Sequence, residues 1–128
     1  MTVYLTSIEV LTMHHILIER YGGSHGLRDA GALDAALYRP QSGFYDDIIA
    51  EAAALWESMT NNHPFIDGNK RVGFAVTDTF LRANGYRIIA APDVIWNFID
   101  GLLTIGQFEY ASLNSWLRKN TKALSDQE

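Results

Sequence analysis

Apolar residues recur at the three- and four-residue spacing of amphipathic helices over most of the chain. Thr6, followed three residues later by Glu9, has the pattern of a capping box and predicts the start of a first helix. Two consecutive glycines after Tyr21 predict where this helix ends. The apolar residues expected on one side of it are Ile8, Leu11 and Ile18.

Aspartates predict where the next two helices begin. Asp29 can cap a short second helix that stops before Pro40, because the residue preceding a proline disfavours the helical conformation. Asp46 or Asp47 begins a third helix, which leads into residues 63–71. The residues expected to face inward are Leu33, Ala36 and Leu37 in the second helix and Ile48, Ala52, Leu55 and Met59 in the third.

Three further helices follow in the second half of the chain. The fourth is predicted from Lys70 to Asn84, and residues 86–90 form a short segment compatible with an extended conformation. Pro92 suits the first turn of a fifth helix, and a sixth begins near Glu109. Inward positions are Val72, Val76, Thr79, Phe80, Ile95, Ile99, Leu102, Leu113 and either Trp116 or Leu117. The pattern predicts an all-α fold in which residues 1–128 form one domain.

Composition excludes several classes of protein. The chain has 128 residues, of which 48% are hydrophobic and 20% charged, so a globular domain with its own core is expected. It contains no cysteine, which excludes disulfides and thiolate chemistry. A net charge of −5 argues against direct nucleic-acid binding. Neither a secretory signal nor an apolar run long enough for a bilayer is present, so a cytoplasmic protein without membrane contact is expected.

Most of the candidate catalytic and phosphate-binding residues lie in residues 63–71. Gly68 and Asn69 suit a tight turn immediately before the fourth helix. The free N–H groups and the dipole of a helix N-terminus attract anions. Lys70 and Arg71 add two positive charges at that same end, where they are unfavourable for an isolated helix. A bound phosphate would account for this placement.

Two side chains in the segment suggest a role in phosphate transfer. His63 can accept a proton near neutral pH, and Asp67 can hold Mg²⁺, cap the following helix, or do both. Phe65 is interpreted as a core anchor for the loop. His14 and His15 are interpreted as structural, because adjacent side chains on a helix diverge and cannot share a metal. Core positions are likewise assigned to Trp56, Trp96 and Trp116, in preference to a base-stacking platform.

The segment His-Pro-Phe-Ile-Asp-Gly-Asn-Lys-Arg resembles the signature of the Fic/Doc family, in particular its death-on-curing branch of bacterial toxin–antitoxin modules. The Fic pattern has a second glycine where this chain has Lys70 and a final arginine where it has Phe74. An arginine common near the motif histidine in Doc-like chains is absent, and Asn61 and Asn62 stand there. Flanking segments that also resemble Doc-like chains are residues 20–23, 26–29 and 116–120.

The resemblance implies a Fic/Doc-type helical bundle with a glycine-rich flap loop beside the active site. The segment from Gly22 to Gly31, which composition alone would make a surface loop, corresponds to this flap. Arg20, Arg28 and Asp29 would then face the cleft and position a target protein.

The resemblance also implies an activity, in which phosphate passes from Mg·ATP to a hydroxyl of a protein, elongation factor Tu, and translation stops. In this scheme His63 takes the hydroxyl proton and Asp67 holds Mg²⁺. Gly68, Asn69, Lys70 and Arg71 cradle the phosphate. One alternative keeps the fold but transfers AMP, and a second is a catalytically silent module that binds an antitoxin.

A partner antitoxin is expected because the chain lacks the Fic inhibitory signature, in which Glu and then Gly or Asn follow a Ser or Thr at the fourth and fifth positions. The antitoxin's C-terminal segment is expected to fold as an amphipathic helix in a groove between the first helix, the glycine-rich loop and the core.

Overall fold

The computed structural model describes residues 1–127 and shows six α-helices and one small sheet among them. The helices are α1 (Ser7–Tyr21), α2 (Ala30–Tyr38), α3 (Ile48–Asn61), α4 (Asn69–Ala83), α5 (Pro92–Thr104) and α6 (Tyr110–Asn120). Short 3₁₀ turns cover Arg39–Gln41 and Leu124–Gln127. The predicted all-α class is confirmed. Within this part of the chain, no helix has both the length and the hydropathy needed to cross a bilayer.

Helix α3 is the centre of the bundle and packs against α2, α4 and α6. Ala52, Ala53 and Trp56 on this helix are 0% exposed, as is Met59 one turn later. Small alanine side chains let neighbouring helices approach on several sides, while Trp56 fills the space between them. The packing of α4 on α3 places residues 63–68, which connect the two helices, at the edge of the core.

The predicted starts of α1, α2 and α3 are confirmed by side-chain hydrogen bonds. Thr6 and Glu9 form the reciprocal capping box, with Thr6 N–H donating to Glu9 Oε1 at 2.8 Å. The N–H of Ala32 donates to Asp29 Oδ1 at 3.0 Å, and that of Ala50 to Asp47 Oδ1 at 2.9 Å. These bonds satisfy donors that have no acceptor within the helix.

The inward side of α1 differs from the prediction. Ile18 is buried as expected, but Ile8 is 74% exposed and Leu11 38% exposed. The buried face instead runs through Val10, His14 and Ile18, which are spaced four residues apart. A polar histidine in the middle of the core-facing stripe hid it from a search for apolar periodicity. The inward positions predicted for α2 are all buried.

The short extended segment after α4 is confirmed, and it has a partner that the sequence did not indicate. Strand β1 (Tyr86–Ile88) pairs antiparallel with β2 (Thr121–Ala123) directly after α6. Three residues are too few to show an alternating pattern, which explains why β2 was not predicted. The pair ties the end of the last helix to the end of α4.

Two helical glycines allow the contact between α3 and α4 to be tested. A Cβ added at Gly73 in α4 would lie 2.5 Å from Thr60 Oγ1, whereas one added at Gly101 in α5 would meet no atom within 4 Å. We therefore expect Gly73→Ala to lower the free energy of unfolding by about 1–3 kcal/mol through overpacking. Gly101→Ala should raise it by up to about 1 kcal/mol through helix propensity. Urea denaturation measures both, and equal stabilisation by the two variants would contradict the close helix contact.

Candidate active site

The loop from His63 to Gly68 is held in one conformation by Asn69, the first residue of α4. The buried Asn69 side chain accepts from Phe65 N–H at 3.0 Å through Oδ1 and donates to Phe65 O at 2.9 Å through Nδ2. The same Nδ2 lies 3.4 Å from His63 Nδ1, a long and weak contact that orients the imidazole. His63 has a φ of 47°, an unfavourable left-handed conformation that these bonds sustain.

The glycine-rich segment runs alongside this loop and forms part of its support. Leu27 and Phe65 form an antiparallel bridge, and Ile66 N–H donates to Gly26 O at 3.0 Å. The Arg28 side chain donates to the carbonyl oxygens of His63 at 2.6 Å and Asn62 at 2.8 Å. A cation that binds two carbonyl groups at the end of α3 also interacts favourably with the helix dipole.

The three residues predicted to position a target are placed differently from one another. Arg28 is engaged with the backbone of the motif loop, and Asp29 caps α2. Arg20 lies exposed in the last turn of α1. None of the three lines the cavity described below. Their contribution to target binding stays a prediction, and Arg28 has a clear structural task in addition.

Asp67 points its carboxylate toward two backbone N–H groups. Oδ2 accepts from Ser24 at 3.0 Å and Oδ1 from Gly68 at 2.8 Å. The hydrogen bonds from Ser24 and then Gly68 lower the pKa of the Asp67 carboxyl below its usual value, so it is anionic at neutral pH. A Cβ at Gly23, whose φ is 112°, would lie 2.8 Å from Asp67 Oδ2. Glycine is therefore needed at position 23 for the loop to approach this carboxylate.

The N-terminus of α4 lies next to His63 and Asp67, as the motif spacing predicted. Gly68 is its N-cap with a φ of 75° and supplies no side-chain cap. The two cations of the first turn have partners within the chain. Lys70 Nζ lies 2.8 Å from Asp100 Oδ1 on α5, and the Arg71 guanidinium lies 4.5 Å from the centre of the Tyr21 ring on α1.

A cavity of about 920 Å³ opens over these residues. The exposed face of α4 forms its floor, and α1 and α5 form its two sides. The predicted residues that it brings together are His63, Asp67, Gly68, Asn69, Lys70 and Arg71. Lining residues outside the predicted set include Leu17, Tyr21, Phe74, Asp78, Trp96 and Asp100. The prediction of a core position holds for Trp56, which is fully buried, whereas Trp96 packs on the core with one side at the cavity.

The residues present fit a magnesium nucleotide. Among residues 1–127, no group of three or more His, Cys, Asp or Glu side chains could hold a metal by itself. Mg²⁺ commonly uses one or two carboxylates and takes its other ligands from phosphate and water. Asp67 is anionic, and each of its oxygens retains lone pairs beyond the bond it accepts from the backbone. Asp67 could thus hold Mg²⁺ beside a phosphate at the N-terminus of α4.

His14 is a supporting residue that the sequence did not reveal. Its imidazole is 3% exposed and donates from Nε2 to Asp67 O at 2.8 Å. The ring also stacks on Phe65, with centroids 3.8 Å apart and planes within 6°. The structural interpretation of His14 is confirmed, and its role is to fix the loop between Phe65 and Asp67. A histidine in an otherwise apolar helical face is the signal that could have shown it.

His14 and its neighbour His15 provide a matched test of this support. We expect His14→Ala to lower the free energy of unfolding by about 2–4 kcal/mol, because it removes a buried ring and leaves Asp67 O without its donor. Amide exchange at residues 65–68 should accelerate as well. His15 is exposed, so His15→Ala should change stability by less than about 0.5 kcal/mol. Similar effects of the two variants on exchange in the loop would rule out the proposed support.

Comparisons with known proteins agree with the motif and the fold. The family model described as the Fic/DOC family matches residues 4–81, which include α1 to α3, most of α4 and the loops that connect these helices. The chain is 42% identical over 99 residues to a protein named Toxin Doc from Mycolicibacterium smegmatis, covering 73% of this chain and 74% of that protein. It is 30% identical over 120 residues to Protein kinase doc from Escherichia phage P1, covering 91% of this chain and 94% of that one. The chain belongs to the Fic/Doc family.

Proposed function

We propose that this chain is the toxin of a toxin–antitoxin module, acts in the cytoplasm, and transfers phosphate from Mg·ATP to a hydroxyl of a protein. The observation that carries the proposal is the arrangement of His63 and Asp67 around the N-terminus of α4, at the floor of a cavity. A relative aligned over most of both chains is named a protein kinase, and another is named a toxin. Elongation factor Tu, which the family resemblance implies, is the first acceptor to test.

In the proposed reaction the acceptor oxygen bonds to the γ-phosphorus while the bond from that phosphorus to the β-γ bridging oxygen breaks, and ADP leaves. His63 accepts the hydroxyl proton. The N–H groups of the first turn of α4 and the Lys70 ammonium face the charge on the phosphoryl oxygens. Bound Mg²⁺ would neutralise further charge on the phosphates. The chain's own contribution is therefore mainly orientation and a fixed positive potential.

Two residues near the start of α4, Lys70 and Phe74, favour phosphate transfer over AMP transfer. Phe74 occupies the position where AMP-transferring relatives carry a phosphate-binding arginine, and its ring packs 6.0 Å from Trp56 and 5.6 Å from Trp96. An apolar ring cannot bind the distal phosphates of a nucleotide. Lys70 fills the space that a glycine leaves open in those relatives. Both changes favour a nucleotide whose γ-phosphate lies at the N-terminus of α4.

Inhibition by a partner antitoxin is part of the proposal. The cavity wall contributed by α1 is apolar, through Leu17 and Tyr21, and Ile66 adjoins it from the motif loop. An amphipathic helix bound there would lie close to His63 and would block an acceptor protein. A silent module that only binds the antitoxin remains the second candidate from a different class.

The transferred group can be identified with labelled nucleotide. We expect elongation factor Tu, or a protein in a whole-cell extract, to acquire label from γ-labelled ATP and none from α-labelled ATP. Intact mass should rise by one phosphate, because in the proposed orientation the γ-phosphate lies beside His63, the acceptor of the hydroxyl proton. A control without Mg²⁺ should show no label. A mass gain equal to AMP would instead establish the alternative activity of the same fold.

The role of His63 can be separated from folding. We expect His63→Ala to reduce transfer by at least about 10²-fold, the scale of general-base catalysis, while its melting temperature stays near that of the parent chain. Expression of the parent chain should arrest growth, and co-expression of the neighbouring antitoxin reading frame should restore it. His63→Ala should be harmless. If this variant is folded and equally toxic, toxicity comes from binding, and the silent-module candidate is favoured.

A further inference from the structure

We propose that the purine base of the nucleotide stacks on the indole of Trp96, which Phe74 supports. We call this stacking surface the purine seat. This inference rests on the proposed use of ATP and adds the residue that recognises the base. It assigns a ligand contact to a side chain outside the signature motif, on a helix that the family model does not reach.

The pairing of α4 and α5 gives the cavity a direction. Lys70 in the first turn of α4 contacts Asp100 on α5 at 2.8 Å, and Phe74 one turn later contacts Trp96, one turn earlier on α5, with ring centroids 5.6 Å apart. The two helices therefore run in opposite directions along this side of the cavity. The end of the cavity at Lys70 and Asp100 is charged, and the end at Phe74 and Trp96 is aromatic. The two ends are separated by about one helical turn, or about 6 Å along α4.

The aromatic end has the chemistry of a base site rather than a phosphate site. Trp96 is partly exposed and lines the cavity, so its indole is accessible to a ligand. Phe74 lies against it, and the fully buried Trp56 supports Phe74 from the core side. A flat, apolar ring with rigid support is a good stacking surface, because no ordering of the side chain is needed on binding.

Tyr21 is the competing aromatic side chain on the opposite wall. Its ring carries the Arg71 guanidinium at 4.5 Å from the centroid, so one face is already covered. Arg71 belongs to the first turn of α4, so Tyr21 lies beside the phosphate end of the cavity. With the γ-phosphate at the N-terminus of α4, we assign the base of the same nucleotide to the part of the cavity farther along the helix, beside Trp96.

Calorimetric binding to the full chain can test the seat with two probes, Mg·ATP and Mg·tripolyphosphate, which lacks the base. We expect Trp96→Leu to weaken ATP binding by roughly tenfold, as expected for the loss of one stacked base, and to leave tripolyphosphate binding within about twofold. Trp96→Phe should retain most of the affinity for ATP. Steady-state transfer should show the loss in KM for ATP and little change in kcat.

Control variants distinguish the loss of stacking between Trp96 and the purine base from a general loss of structure or stability. Trp116→Leu removes another partly buried indole, one that stacks on Phe98 outside this cavity, and should leave ATP affinity within about twofold of the parent. Tyr21→Leu tests the opposite wall. A tenfold loss for Tyr21→Leu with none for Trp96→Leu would overturn the assignment to Trp96. Equal losses of ATP and tripolyphosphate affinity in Trp96→Leu would overturn it too, since the base would then not be the group affected.

A measurement on the unaltered chain keeps the inference testable if Trp96→Leu does not fold. A fluorescent purine triphosphate whose emission is quenched by stacking should lose emission on binding to the parent chain, and much less on binding to Trp96→Phe. Unquenched binding would overturn the seat while leaving ATP as the donor. If the chain neither binds ATP nor transfers label from it, the proposed function itself fails and the inference with it.

Discussion

The arrangement of the whole site depends on how the loop between α3 and α4 is anchored at the edge of the core. Phe65 is 1% exposed, and its backbone N–H and C=O are both bound by the Asn69 side chain. A buried peptide group without partners would cost about 1–3 kcal/mol, so Asn69 makes burial of the Phe65 ring possible. His14 covers the other side of that ring. With Phe65 fixed, the positions of His63 before it and Asp67 after it are fixed too.

Asn69 is therefore better described by its contacts in the loop than by the phosphate-binding role expected of it. The side chain that the motif would assign to the cradle is already bound to backbone and is 8% exposed, so what it can offer an anion is chiefly its backbone N–H at the start of α4. Arg28 likewise has a structural role, because its guanidinium donates hydrogen bonds to two carbonyl oxygens at the start of the loop. Asn69 and Arg28 thus hold the loop in place, while His63, Asp67 and Lys70 line the cavity.

Sequence patterns predicted the elements whose signals are local. The capping box, the aspartate caps of α2 and α3, and Pro92 in the first turn of α5 depend on residues a few positions apart, and all were found. The contacts that complete the site join positions far apart in the chain, such as His14 with Asp67 and Lys70 with Asp100. No periodicity encodes such pairs, since they exist only after α1 and α5 pack on either side of α4. Trp96 shows the same limit, because helical spacing places it on the core and only the packing shows which side faces the cavity.

The ion pair between Lys70 and Asp100 compensates part of the positive charge at the start of α4. Two positive charges beside the positive end of a helix dipole destabilise the isolated helix, and Asp100 offsets one of them from α5. The Lys70 and Asp100 side chains are 49% and 56% exposed, so their pair is screened and contributes only about 0–1 kcal/mol. A phosphate at the N-terminus would meet the backbone N–H groups and the ammonium together, which is a much stronger set of partners than one exposed carboxylate. The ion pair therefore stabilises the start of α4 and presents only a small barrier to exchange of Asp100 for a phosphate.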